Sequence, residues 1–212
     1  MYNITFISTT HKENGLCNAN ELCKIIEQIA PKVIFLEALK DTYSKYQEHL
    51  FCNYGVFNSK LEIAAIQKYS YKSTFKYFPV LDNGLSDAFE EKYEIVTRHI
   101  ELQRKIENFN ALSYKYGFKF LNSDVSVQLQ EDMRKLESAI LNRDTVLNKD
   151  AADAIDSYEN EMLKNIYSYS KTNQFDKAIF MCGAAHRKSV IEKINELNTN
   201  KEIKLDWQIL KF

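Results

Sequence analysis

The chain has 212 residues, 45% of them hydrophobic and 27% charged, and carries a formal net charge of -1 at pH 7. That balance suits one globular α/β domain with a real core, and it excludes a disordered chain and the strong positive field expected of a nucleic-acid or anionic-membrane binder. No apolar run is long enough to span a bilayer, and the N-terminus enters a strand with no basic flank or cleavage pattern, so neither a membrane nor a secretory role is expected.

In chain order, Tyr2 to Thr9 reads as a first strand, with His11 just past its end. A helix follows from about Asn20 to Ala30 with Leu22, Ile26 and Ile29 on one face, and Pro31 stops it. Val33 to Leu36 is a second apolar strand that ends in Glu37, leading into a helix striped by Leu39, Tyr43, Tyr46 and Leu50. A short helix from Leu61 to Tyr69 precedes a third strand, Phe75 to Leu81, which ends at Asp82. Pro79 inside that strand argues for an edge or a bend.

The middle changes character. Leu85, Phe89, Val96, Ile100, Ile106 and Phe109 predict one long amphipathic helix, and Gly117 to Leu121 a short strand leading to Asp124. Leu129, Met133, Leu136 and Ile140 predict a second long helix, and Ile155, Tyr158, Met162, Ile166 and Tyr169 a third. Residues 84–172 therefore read as a helical insertion, or lid, within a single domain spanning 1–212, because no Pro/Gly/Ser linker sets them apart. Ala178 to Met181 is again a buried strand, cut off by Gly183 before a helix carrying Val190, Ile194 and Leu197. Ile203, Leu205, Trp207 and Ile209 alternate with polar residues as a last strand. The expected fold is a mixed, mostly parallel sheet of about five to six strands with flanking helices.

Three residues then share one edge. In a parallel sheet the carboxyl ends of the strands line the crevice where open α/β folds bind ligands. His11, Glu37 and His186 all stand at such ends, and a carboxylate buried after an apolar strand costs several kcal/mol unless it is paired or bound to a cation. Two imidazoles and a carboxylate suit a divalent ion with a position open for water, or a Glu–His pair that activates water directly. The competing reading is that the histidines satisfy loop carbonyls and Glu37 caps a helix. Gly183 allows close backbone approach to a ligand, and Glu159 beside Tyr158 and Met162 is a second-tier ligand-binding candidate. Asp82 and Asp124 can join the same edge but read more simply as helix caps, and Glu62 as an ordinary first-turn acid. Cys182 is a small core residue rather than a nucleophile, and His49 and His99 are surface residues. The four cysteines, Cys17, Cys23, Cys52 and Cys182, lack zinc-ribbon or CxxC spacing, so reduced thiols in a cytoplasmic protein are expected.

The strand end STTH (Ser8 to His11), the run PKVIFLE (Pro31 to Glu37) and CGAAH (Cys182 to His186) together resemble the Tiki/TraB superfamily, which also embraces PrgY-like, GumN-like, ChaN-like and erythromycin-esterase-like proteins. Its pattern is two GxxH motifs and a glutamate ending the second strand. The resemblance implies an α/β core with inserted helices and a pocket formed by His11, Glu37 and His186. It also implies a metal-dependent protease, an esterase, or a haem-binding or pheromone-shutdown protein. Ser8 replaces the first glycine, and Tyr158 stands where many relatives carry a late-helix arginine, for which Arg143 or Arg98 is a spatial substitute. Two functions follow: a hydrolase of a peptide or ester bond, or a protein that sequesters a peptide, haem or anion in the same pocket. Partners are then a small-molecule or peptide substrate, with the long helices leaving room for a homodimer.

Overall fold

The computed structural model describes residues 2–40, 60–142, 144–200 and 204–212. Its centre is one five-stranded sheet in the order β3-β2-β4-β1-β5, built from β1 (Tyr2–Thr9), β2 (Val33–Leu39), β3 (Lys76–Leu81), β4 (Lys177–Gly183) and β5 (Leu205–Ile209). All pairings are parallel. Central strands of such a sheet are covered on both faces, which is why β2 and β4 read as nearly unbroken apolar runs, while β1 buries the small polar residues Thr5, Ser8 and Thr9 among its apolar ones. Ile7, Ile34, Leu36, Ile179 and Met181 face a layer formed by α1 (Ala19–Ile29) and α2 (Leu61–Ser70). Ile4, Phe6, Phe35, Phe180 and Cys182 face the opposite layer, formed by α7 (Thr145–Thr172) and α8 (Arg187–Asn200). Pro79 sits on β3, an edge strand, where a missing backbone N–H is tolerated.

Local chemistry sets the element ends. Asn18 caps α1 by accepting from the backbone N–H groups of Asn20 and Glu21, and Ala30, at φ 53°, closes it in the left-handed region just ahead of Pro31. Between β3 and β4 the described chain contributes helices only: α3 (Asp87–Val96), α4 (Ile100–Tyr116), α5 (Phe118–Leu121), α6 (Asp124–Ile140) and α7. They hold a small core of their own around Val96, Leu102, Met133, Leu141 and Leu147.

Several expectations change here. The long helix drawn from Leu85 to Phe109 is two helices, α3 and α4, broken by a turn at Thr97–His99; His99 is exposed but lies at the start of α4, not mid-helix. The strand expected at Gly117 to Leu121 is the short helix α5. Gly117 turns the chain at φ 60°, and the aromatic residues Phe118 and Phe120 bury themselves from a helical turn as well as from a strand. The expected helix after Glu37, together with His49, Cys52, Arg143 and Ile203, lies largely or wholly outside the described residues. Among the described residues no helix is long and apolar enough to cross a membrane, and Cys17, Cys23 and Cys182 are free thiols.

Candidate active site

The register of the sheet explains why residues so far apart in sequence meet. Ser8 is level with Cys182 and Thr9 with Gly183 across β1–β4, while Leu36 is level with Met181 across β2–β4. The carboxyl ends of the three central strands therefore lie side by side, with Glu37 on one flank of β4 and the β1 terminus on the other. Glu37 is not beyond its strand: β2 runs on to Leu39, and its pairing with β3 shifts between Leu36 and Leu39. This irregularity falls at the glutamate itself.

The Glu37 side chain is only 6% exposed. Its Oε2 accepts the backbone N–H of Gly183 at 2.6 Å, and its Oε1 accepts the Tyr158 hydroxyl at 3.0 Å and lies 3.6 Å from His186 Nε2. A Cβ added at Gly183 would meet Glu37 Oε2 at 3.4 Å, an ordinary contact, so the approach of Glu37 does not depend on the glycine. Tyr158 also stacks on the His186 ring, with centroids 5.6 Å apart. Burial, and then the Glu37 charge, push the Tyr158 phenol far above its ordinary value, so it remains a donor.

Each histidine has a carboxylate of its own. His186 Nδ1 is 2.8 Å from Glu159 Oε1, and Glu159 is also held by the Ser189 hydroxyl; it is 1% exposed. His11 Nδ1 is 3.1 Å from Glu62 Oε1, which also accepts the Thr9 hydroxyl at 2.8 Å. The backbone N–H of Leu61 donates to the His11 carbonyl, which locks the start of α2 beside β1 and delivers Glu62 to its partner. In the tautomer that donates to each carboxylate, Nδ1 carries the proton and Nε2 is left for a water or a substrate. The hydrogen bond to Glu62 raises the His11 pKa above 6.5; burial opposes it, and the charges of Glu62 and Glu37 add to the rise.

A buried cation sits behind the site. Arg187, 3% exposed, donates to the Ser8 hydroxyl at 3.0 Å, to Asn122 Oδ1 at 2.9 Å, and to the backbone carbonyls of Asn122 and Leu210. Ser8 is thus an acceptor for this guanidinium. Asn122 in turn pairs with the backbone N–H and C=O of Ser8, taking the place of a neighbouring strand at the end of β1. Cys182 is fully buried. Burial first, then the charges of Glu37, Glu159 and Glu62, push its thiol well above the ordinary range, with Arg187 opposing. The thiol is thus no ready nucleophile.

The expected residues divide accordingly. Glu37, Gly183, His186 and Glu159 are in direct contact. His11 stands in a second pair, coupled to Glu37 by charge rather than by a hydrogen bond. Asp82 is engaged elsewhere, with Lys40 at 2.6 Å and Asn165 at 3.0 Å, and the Lys40 ammonium holds its carboxyl below the usual range. Asp124 opens α6 in its first turn, with Ser123 as the cap. Arg98 is exposed, and Arg134 donates to the Ala185 carbonyl beside His186. Glu62, read from the sequence as an ordinary helix-start acid, is 2% exposed and holds His11. Its signal was present: it is the one charge in the apolar run LEIAAI, a helix segment buried all round.

His186 Nε2 and Glu37 Oε1, at 3.6 Å, have the separation of two ligands on one ion. Among the described residues, however, no three His, Cys, Asp or Glu side chains are gathered closely enough to hold one. The expected His11–Glu37–His186 cage is therefore not closed. Compared with known proteins, the chain matches no family model, no curated protein and no solved structure.

Proposed function

We propose that this protein is a hydrolase of the Tiki/TraB type that cleaves an ester or peptide bond by His/Glu acid–base chemistry at the carboxyl edge of β1, β2 and β4. The observation that carries this reading is the pair of buried carboxylates, Glu62 and Glu159, each committed to Nδ1 of a histidine. Holding three carboxylates in a nearly dry site is costly, and groups held this way are concentrated at functional sites. In the proposed cycle His186, oriented by Glu159 and faced by Glu37, takes a proton from water as it attacks the carbonyl. His11, whose raised pKa favours the imidazolium, gives a proton to the leaving group. Glu37 positions the attacking water, its other contacts being held by Gly183 and Tyr158.

Hydrolysis of ester and peptide libraries by the wild type and by Glu37→Gln, His11→Ala and His186→Ala tests the reading. Loss in all three variants is expected, and turnover that survives all three overturns it. The 3.6 Å approach of His186 to Glu37 keeps a metal-supported form of the same proposal in play, completed by His11 moving inward. Elemental analysis of protein purified without chelator separates the two forms: one equivalent of a divalent ion, lost in His186→Ala, selects the metal-supported one. Tight retention of a peptide, haem or anion with no turnover of any substrate class selects the sequestering alternative.

A further inference from the structure

Beside His186 lies a cavity of about 520 Å³, walled chiefly by the helices between β3 and β4. Its size is that of a small-molecule site, and such sites pair an apolar lining with a few directed polar groups. Phe89, Tyr93, Val96, Ile106, Phe109 and Met133 supply the apolar wall; Glu159, His186 and Ser189 stand at the end nearest the sheet. The catalytic pair and the apolar wall thus share one volume.

Among the described lining residues the carboxylates Glu137, Asp156 and Glu159 outnumber the cations Lys92 and Arg134. Lys92 is paired with Glu137 at 2.9 Å, and both side chains are largely buried. Arg134 pairs at 3.4 Å with Glu131, which Lys188 shares at 2.7 Å, and donates to the Ala185 carbonyl. On the acidic side, Asp156 is matched by Lys193, and Glu159 by His186 and Ser189. A carboxylate or phosphate entering here would give up its water and meet a wall with more carboxylates than cations, so its desolvation is poorly offset. An uncharged chain loses little and buries apolar surface.

Resting on the hydrolase reading for its chemistry, we infer that this cavity is the acyl-side subsite: it takes the uncharged, medium-length aliphatic or aromatic part of a neutral substrate, with the scissile carbonyl presented to His186. The protein selects against free fatty acids and other anions of the same length. In ester substrates, chain length on the acyl side then governs turnover.

Calorimetric titration with 2-octanone and with octanoate tests the subsite without requiring any reaction, since the ketone cannot be hydrolysed. The neutral ligand is expected to bind at least tenfold more tightly than the anion. Ala152→Trp, which fills the cavity from an exposed position on α7, should weaken 2-octanone at least fivefold with unchanged circular dichroism; Ser138→Trp on α6 serves if the first variant does not fold. Glu137→Gln, which releases Lys92, should narrow the gap between ketone and anion. Absence of saturable 2-octanone binding, octanoate binding of equal strength, indifference to the cavity-filling residue, or a gap unmoved by Glu137→Gln would each overturn the inference. Binding with no hydrolysis of p-nitrophenyl octanoate or acetate would instead leave the subsite standing and count against the hydrolase.

Discussion

The two histidine–glutamate pairs share a chemistry and differ in surroundings. His186 is 10% exposed at the side chain, bonded to a glutamate that is itself 1% exposed, and stacked on Tyr158. His11 is 52% exposed over a glutamate that is 3% exposed. In both pairs the carboxylate, not the imidazole, is the more deeply buried partner, so the protein bears its desolvation cost in the orienting group. The difference lies in access. The buried pair adjoins Glu37 and the helix-lined cavity, while the exposed pair can exchange protons with solvent, a division of labour suited to a base and an acid.

The strongest way to break that comparison is to remove the carboxylate that faces His186. Glu37→Gln keeps the shape but opposes an amide to donors on both sides, so kcat/KM on the best substrate should fall by about 10²-fold or more. Its stability should drop by about 1–3 kcal/mol, the cost of leaving a buried donor unmatched, as read by urea denaturation. Replacing the two orienting carboxylates should then rank the pairs. Glu159→Gln disturbs His186, Ser189 and Lys193 together and should cost about 2–3 kcal/mol, with Glu62→Gln costing less because His11 can turn to water. Equal losses would remove the asymmetry.

A pH titration sharpens the exposed side. His11 should titrate above 6.5 by NMR, and Glu62→Gln should bring it back down, since the Glu62 hydrogen bond is the largest cause of the rise. The folded state favours the imidazolium. That contribution to stability is therefore fully present below pH 6.5 and is lost as the pH rises through the raised value. A smaller effect is expected for Tyr158→Phe, which removes one bond to Glu37: about 1 kcal/mol of stability, with activity reduced several-fold. Smallest of all is Cys182→Ala, for which turnover should be unchanged and iodoacetamide should leave the wild-type thiol intact, because a thiol pushed so far up holds no thiolate at neutral pH.

The central strands were legible because they are buried on both faces: β2 and β4 are written as apolar runs, and β1 as β-branched and aromatic residues, with chemistry at their ends. His11, Glu37 and His186 were found by that placement. Glu62 and Arg187 were not, because each sits beside ordinary helix-start residues and its role depends on what crosses over it in space. Arg187 serves Ser8 across 179 positions, and Glu62 reaches back 51 positions to His11. The break between α3 and α4 was missed for a related reason: hydrophobic period alone does not register a turn that keeps both helices on one apolar face. Gly117 was read as the start of a strand, although a glycine before two aromatics equally well ends one helix and begins another.

The tautomers of the two imidazoles test the account most directly. Long-range proton–nitrogen correlation spectra at pH 9, with each histidine assigned by the signals that its own substitution removes, report which ring nitrogen carries the proton. Both His11 and His186 should be protonated at Nδ1 with Nε2 bare, as the bonds to Glu62 and Glu159 require. Protonation at Nε2 in either would mean that its carboxylate does not orient it, and would contradict the paired site on which the proposed chemistry rests.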